Sequence, residues 1–167
     1  MNISVEFSGW AITHGEKSMS KRQYFAYGAN MNQDNMAWRC PQAENPRPYI
    51  LRDWRLRFYT HATIEYSPGD SVWGIMWDIT PECERSLDSF EGFPVYYTKR
   101  KYRQDKKKFF FYEMASYREG TPSRGYIEDI RNVYRYFNQP FDHLVQELDE
   151  LDYYYQDLSS RSISIES

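Results

Sequence analysis

A chain of 167 residues, 41% hydrophobic and 19% aromatic with 16 tyrosines, has the size and apolar content for one globular domain whose core needs neither metal nor disulfide support. Its formal net charge of −3 argues against non-specific nucleic-acid binding. Two cysteines, Cys40 and Cys83, build no disulfide framework and match no zinc spacing, and both read as small core residues in a reducing cytoplasm.

No apolar run approaches the roughly 20 residues that span a bilayer, and residues 1–22 lack the continuous apolar core of a signal peptide. The expectation is a soluble, cytoplasmic protein without a membrane partner. Residues 1–22 alternate briefly at Ile3, Val5 and Phe7, turn polar around His14-Gly15-Glu16-Lys17, and contain Met19, which reads as a natural translation start. They are expected to form a mobile extension, so that a chain starting at Met19 folds and works like the whole.

From Gln23 an aromatic, strand-prone run, Tyr24-Phe25-Ala26-Tyr27, stops at Gly28 and gives way to Ala29-Asn30-Met31-Asn32. Without a Cβ, Gly28 lets the chain turn and lets main-chain N–H groups converge on a carboxylate or phosphate; alone, the pattern favours an ordinary strand-to-helix turn. Asn32 can cap a short helix through Met36 and Trp38 that Pro41 ends. Strands follow at Tyr49–Leu51 and at Trp54–Tyr59, where Trp54, Leu56 and Phe58 alternate with Arg55 and Arg57. Ala62–Tyr66, Ser67-Pro68-Gly69-Asp70 and Ser71–Trp77 read as strand, turn, strand, with Gly74 marking a bulge or a close backbone approach.

Thr80-Pro81 opens a helix with Leu87 and Phe90 on its buried stripe, and Gly92 is placed to end it. Val95–Tyr102 and Phe109–Tyr117 are strands joined by the charged turn Gln104–Lys108, whose lysines read as a solvated loop. Pro122-Ser123 begins a helix with Tyr126, Ile130, Val133 and Phe137 at helical spacing; Asn138-Gln139-Pro140 breaks it before a last amphipathic helix over Phe141–Leu151. The class is α+β, with a domain over residues 23–157 and a Ser-rich disordered tail over 158–167.

His14, His61 and His143 are scattered and lie in no metal-ligand spacing, and neither a Gly-x-Ser-x-Gly elbow nor a phosphate-binding Gly-x-x-x-x-Gly-Lys loop appears. Glu91 stands apart. It sits among Phe90, Phe93 and Tyr97 at a helix end, where no dipole favours the anion, and such surroundings raise a carboxyl pKa toward that of a general base. An exposed helix-terminal glutamate is the alternative from this segment alone.

Four ordered blocks then resemble a known family. They are Tyr24-Phe25-Ala26-Tyr27-Gly28-Ala29-Asn30; Ala62-Thr63-Ile64 with Ser67-Pro68-Gly69-Asp70-Ser71-Val72-Trp73-Gly74; Leu87-Asp88 with Glu91-Gly92; and Pro122-Ser123 with Tyr126. Together they are similar to the γ-glutamylcyclotransferases of the AIG2-like superfamily, over Gln23 to about Leu151.

The resemblance implies a compact mixed β-barrel flanked by helices and a cofactor-free, metal-free cyclisation. In that reaction the α-amine of a γ-glutamyl group attacks its own γ-carbonyl, closes 5-oxoproline and expels an amino acid or amine. By the same resemblance Glu91 is the catalytic glutamate, and Tyr27, Gly28, Ala29 and Asn30 form the loop that holds the glutamyl end. Tyr97 and Tyr112 line the site and Tyr126 stands at its mouth. The family usually has serine at the position of Ala29, so only the backbone N–H remains there. A γ-glutamylamine cyclotransferase and a non-catalytic module binding a γ-glutamyl metabolite stay open beside the amino-acid reading, as does a surface-interaction role for Tyr153-Tyr154-Tyr155. The partner implied is a small γ-glutamyl molecule, with the protein a monomer or homodimer.

Overall fold

Tyr24, Phe25 and Ala26 are buried in succession, which suits a strand covered on both faces, and the strand Arg22–Ala26 (β1) lies at the centre of the sheet. The computed structural model describes residues 20–116 and 118–140. β1 runs antiparallel to Ala62–Ile79 (β3) and parallel to Lys107–Met114 (β5). Outside these lie Glu44–Phe58 (β2), paired with β3, and Tyr97–Gln104 (β4), paired with β5, giving the order β2-β3-β1-β5-β4. With the helices Gln33–Arg39 (α1), Pro81–Phe90 (α2) and Arg124–Tyr136 (α3), the protein has the expected α+β class. Residues 1–19 of the expected extension, the helix over 141–151, the tyrosines 153–155 and the tail fall outside the described residues, whereas Arg22 already belongs to β1.

The expected barrel is an open sheet in one respect: no backbone ladder joins its edge strands, β2 and β4. One buried side chain bridges them instead. The Gln104 carboxamide accepts from Arg52 N–H at 2.9 Å and donates to Ile50 C=O at 2.8 Å and to the Tyr49 hydroxyl at 3.0 Å. A side-chain amide thus takes the place of a peptide group where the edges converge.

Other expectations are refined. Ser67–Asp70 is not a turn between two strands that pair with each other. Both halves of β3 pair with β2, and these residues form an irregularity opposite Asp53, whose carboxylate accepts from Gly69 N–H at 3.0 Å. Gly74 does mark a close approach: a Cβ there would lie 2.3 Å from the Ala26 carbonyl oxygen. The charged turn narrows to Asp105-Lys106, both at positive φ, as a two-residue hairpin of type I′ requires.

Cys40 and Cys83 are a correction. They are not separate core thiols but a disulfide, Cα atoms 4.9 Å apart, joining the residue after α1 to the first turn of α2. The β2–β3 hairpin carries the chain out and back, so residues 43 apart in sequence meet where local spacing shows no pairing. The inference of a reducing compartment, which rested on free thiols, falls with it. No helix among the described residues is long and apolar enough to cross a membrane.

Candidate active site

After β1 the chain enters a 3-10 turn over Ala29–Met31, with Met31 N–H bonded to Gly28 O at 3.0 Å and Asn32 N–H to Ala29 O at 3.3 Å. The first N–H groups of such a turn have no partner within it, and those of Ala29 and Asn30 stand in that position. Asn32 caps α1 as expected, accepting from Asp34 N–H and Asn35 N–H. The turn is held from both sides: Asn35 donates to Ala29 O at 2.9 Å and Trp77 of β3 donates to Asn30 O at 3.0 Å. Gly28 has negative φ, and what glycine provides here is space, since a Cβ would lie 3.2 Å from the Tyr126 hydroxyl.

Glu91 is placed by the end of α2. Gly92 has φ +64, Phe93 N–H reaches back to Asp88 O at 2.9 Å and Gly92 N–H to Ser89 O at 3.3 Å, a Schellman closure with Glu91 as the cap. The helix is seated on the sheet by Lys99 of β4, which bridges Glu84 at 2.6 Å and Asp88 at 2.8 Å, while Tyr112 donates to Asp88 at 2.5 Å. Arg22 also reaches Glu84.

Among the described residues the Glu91 carboxyl receives one hydrogen bond, from Asn30 Nδ2 at 2.8 Å. Burial raises its pKa to about 7, against the opposing pull of the Arg39 charge and the Asn30 amide. Such a group can take up and return a proton near neutrality.

Tyr27, Gly28, Ala29, Asn30, Glu91, Tyr97, Tyr112 and Tyr126, the residues singled out from sequence, all line one cavity of about 400 Å³. Their polar atoms are used differently. Tyr27 donates to Tyr112 O at 2.5 Å and Tyr97 to Ala62 O at 2.6 Å. The Tyr126 hydroxyl accepts from Ala62 N–H at 3.1 Å, which leaves its own proton to donate. Burial pushes the pKa of Tyr27, Tyr97 and Tyr112 well up and that of Tyr126 to about 12, so these hydroxyls stay protonated.

Sequence reasoning missed Arg39 and His61. Arg39, in the last turn of α1, donates to Asn30 Oδ1 at 2.5 Å and lies 3.6 Å over the Phe90 ring. Its C=O accepts from Ser86 Oγ at 2.7 Å, a second tie between α1 and α2 beside the disulfide. His61 lies at the cavity with Nδ1 3.0 Å from the Tyr96 hydroxyl, and burial lowers its pKa. No signal in the sequence separated either from an ordinary basic residue at a helix end or in a loop. Among the described residues no group of three or more His, Cys, Asp and Glu is placed to hold a metal ion.

The described residues thus form an α+β protein with a tyrosine-lined cavity into which an Asn-anchored glutamate and a Gly-Ala-Asn turn are brought together. Residues 24–129 match the family model described as "Gamma-glutamyl cyclotransferase, AIG2-like". The chain belongs to that family. It is similar to the gamma-glutamylcyclotransferase of Bos taurus, 31% identical over 125 residues, 64% of this chain and 66% of that one. The Homo sapiens protein of the same name is 36% identical over 81 residues, 41% and 43% of the two chains. The matches therefore span about half to two thirds of these curated relatives. A solved structure of a gamma-glutamyl cyclotransferase superposes with a TM-score of 0.66 at 27% identity, covering 77% of this chain and 86% of that one.

Proposed function

We propose that this protein is a γ-glutamylcyclotransferase that closes the γ-glutamyl arm of an amino-acid or amine conjugate to 5-oxoproline, with Glu91 as its proton carrier. Ionised Glu91 removes a proton from the α-ammonium, and the freed amine attacks the γ-carbonyl carbon. The new C–N bond closes the ring, and the carbonyl oxygen takes up negative charge. As the carbonyl reforms, the bond to the leaving nitrogen breaks. Two protons pass in all from the ring nitrogen to the departing nitrogen, which leaves as an ammonium ion, and Glu91 carries them one at a time.

Because the substrate supplies its own nucleophile, the protein's task is to fold the arm into near-attack geometry. The N–H groups of Ala29 and Asn30 and the uncommitted proton of Tyr126 are the donors proposed for the glutamyl end or the developing oxyanion. The observation that carries this reading is Glu91, held by Asn30 and raised to about 7 inside the cavity. A module that only bound an anionic metabolite would gain nothing from a second carboxyl there.

Incubation of the full chain with γ-glutamyl dipeptides and γ-glutamylamines, with mass-spectrometric detection of 5-oxoproline, tests the proposal. Formation of 5-oxoproline from either class is expected, and its absence from both would leave binding without catalysis.

A further inference from the structure

We infer that Arg39 is the carboxylate anchor of this cavity: its guanidinium takes a carboxylate of the γ-glutamyl ligand and makes the site prefer ligands that carry one. This rests on the γ-glutamyl reading above and deepens it.

The charges in the cavity wall leave a carboxylate little choice. Besides Arg39 the ionisable groups that line it are Glu91 and Asp129, both acids, the tyrosines, and His61, which burial keeps toward its neutral form. Arg39 is therefore the one permanent cation among the described lining residues. It is also incompletely satisfied, for no carboxylate among the described residues comes within ion-pair distance. One amino group is spent on the neutral Asn30 amide oxygen at 2.5 Å, and buried Nε has no partner among the described residues.

Burial of this half-buried guanidinium works against its charge, the Glu91 charge opposes that only from beyond ion-pair distance, and a ligand that brings an anion into direct contact would offset more of the cost. The geometry suits such a role. Phe90 covers one face of the guanidinium at 3.6 Å, which fixes its plane; with Nη1 on Asn30 and Nε buried, the other amino group is the one left to engage a carboxylate. The Asn30 contact sets the guanidinium beside the residue whose N–H opens the turn and whose amide holds Glu91. The disulfide at Cys40 and the Ser86 bond to Arg39 O fix the backbone on either side of the Arg39 carbonyl.

Two carboxylates have this chemistry, that of the glutamyl arm and that of a leaving amino acid, and two ratios separate them. The first compares the affinities for 5-oxoproline and 2-pyrrolidinone, the same ring without its carboxylate, by calorimetric titration of the full chain. The second compares kcat/KM for a γ-glutamyl amino acid and for a γ-glutamylamine. The wild type is expected to favour the carboxylate-bearing member of at least one pair by about 10–100-fold, the range for hydrogen bonds to a charged group.

Arg39→Gln should collapse that preference to within about threefold, and Arg39→Lys, which keeps the charge without the fork, should retain part of it. Collapse of the ring preference assigns the anchor to the glutamyl carboxylate, and collapse of the turnover ratio alone assigns it to the leaving group. If affinity or turnover falls but neither ratio moves, Arg39 only holds Asn30 and Glu91 in place and the inference is overturned. A wild type with neither preference overturns it without need of a folded variant. An Arg39-dependent ring preference in a protein that forms no 5-oxoproline would sink the cyclotransferase reading and leave the anchor standing.

Discussion

Tyr27, Tyr97 and Tyr112 line the same cavity as Asn30, Arg39 and Glu91, yet the two groups use their polar atoms in opposite ways. The tyrosines belong to the sheet, one just after β1 and the others on β4 and β5. Each hydroxyl is committed: Tyr27 and Tyr97 donate to main-chain carbonyls, and Tyr112 donates to Asp88, itself paired with Lys99. The second group belongs to the 3-10 turn, to α1 and to the cap of α2, where helix ends leave groups unsatisfied. There Arg39 keeps an unpartnered Nε and Glu91 titrates near 7. Sheet residues shape the cavity, and under the proposed mechanism turn and helix-end residues hold its reactivity.

Glu91→Gln tests this division hardest. The amide keeps the shape but cannot accept a proton, so kcat is expected to fall by roughly 10²–10⁴ in steady-state assays while 5-oxoproline still binds. A variant with near wild-type turnover would remove the proton chemistry from the helix-borne group. The same substitution reads out the buried carboxyl in stability. With a folded pKa of about 7 against an ordinary value near 4.5, native Glu91 holds a proton that the unfolded chain has already lost. Its contribution is thus greatest at low pH and is lost as pH rises through that window. Urea unfolding should show the glutamine variant gaining on the wild type between about pH 4.5 and 7, by at most about 3.5 kcal/mol at roughly 1.4 kcal/mol per unit, and levelling above.

The second largest effect is on the pH profile. Activity of the wild type should rise with pH to an inflection near 7 as Glu91 ionises. Because the Arg39 charge works against burial at Glu91, Arg39→Gln should move that inflection upward. An inflection that stays in place would show the two side chains to be electrically independent.

What could be read from the sequence follows the same line. Local patterns drew the eye to Glu91 and Asn30, since Gly92 ends a helix just after one and Gly28 ends a strand just before the other, but their proposed roles came from the family resemblance. The tyrosines came from the family resemblance, since nothing local links positions on separate strands. Arg39 looked like any basic residue in a last helical turn, and its meaning depends on Phe90 and Asn30, which long-range packing brings to it. The Cys40–Cys83 bond and the Gln104 bridge were hidden for the same reason, as both depend on how distant strands return. The α+β class was legible from alternation and capping, whereas the ends of the sheet were not.

Gly28→Ala probes the border between the two groups. Its φ lies outside the left-handed region, but the new methyl would lie 3.2 Å from the Tyr126 hydroxyl and 3.5 Å from Ala62 Cβ, so Tyr126 must give by a few tenths of an ångström. A KM raised severalfold with little change in melting temperature is expected. A large loss of stability would make Gly28 part of the scaffold.

Tyr97→Phe should have the smallest effect on turnover, and it asks whether the sheet-borne group is chemically silent. The substitution keeps the ring in the cavity wall and removes the hydroxyl that donates to Ala62 O at 2.6 Å. That carbonyl belongs to the residue whose N–H bonds Tyr126, so β3 loses one of the two tyrosine contacts that fix its start. Leaving a buried acceptor without that donor costs about 1–3 kcal/mol, which urea unfolding would register. Turnover should stay within about threefold, because burial and the neighbouring Tyr126 and Glu91 hold the Tyr97 proton firmly and the main chain already accepts its hydrogen bond. A hundredfold fall in kcat at unchanged stability would place proton transfer on the tyrosine side and break the contrast between the two groups; lost stability with turnover retained is the outcome the geometry requires.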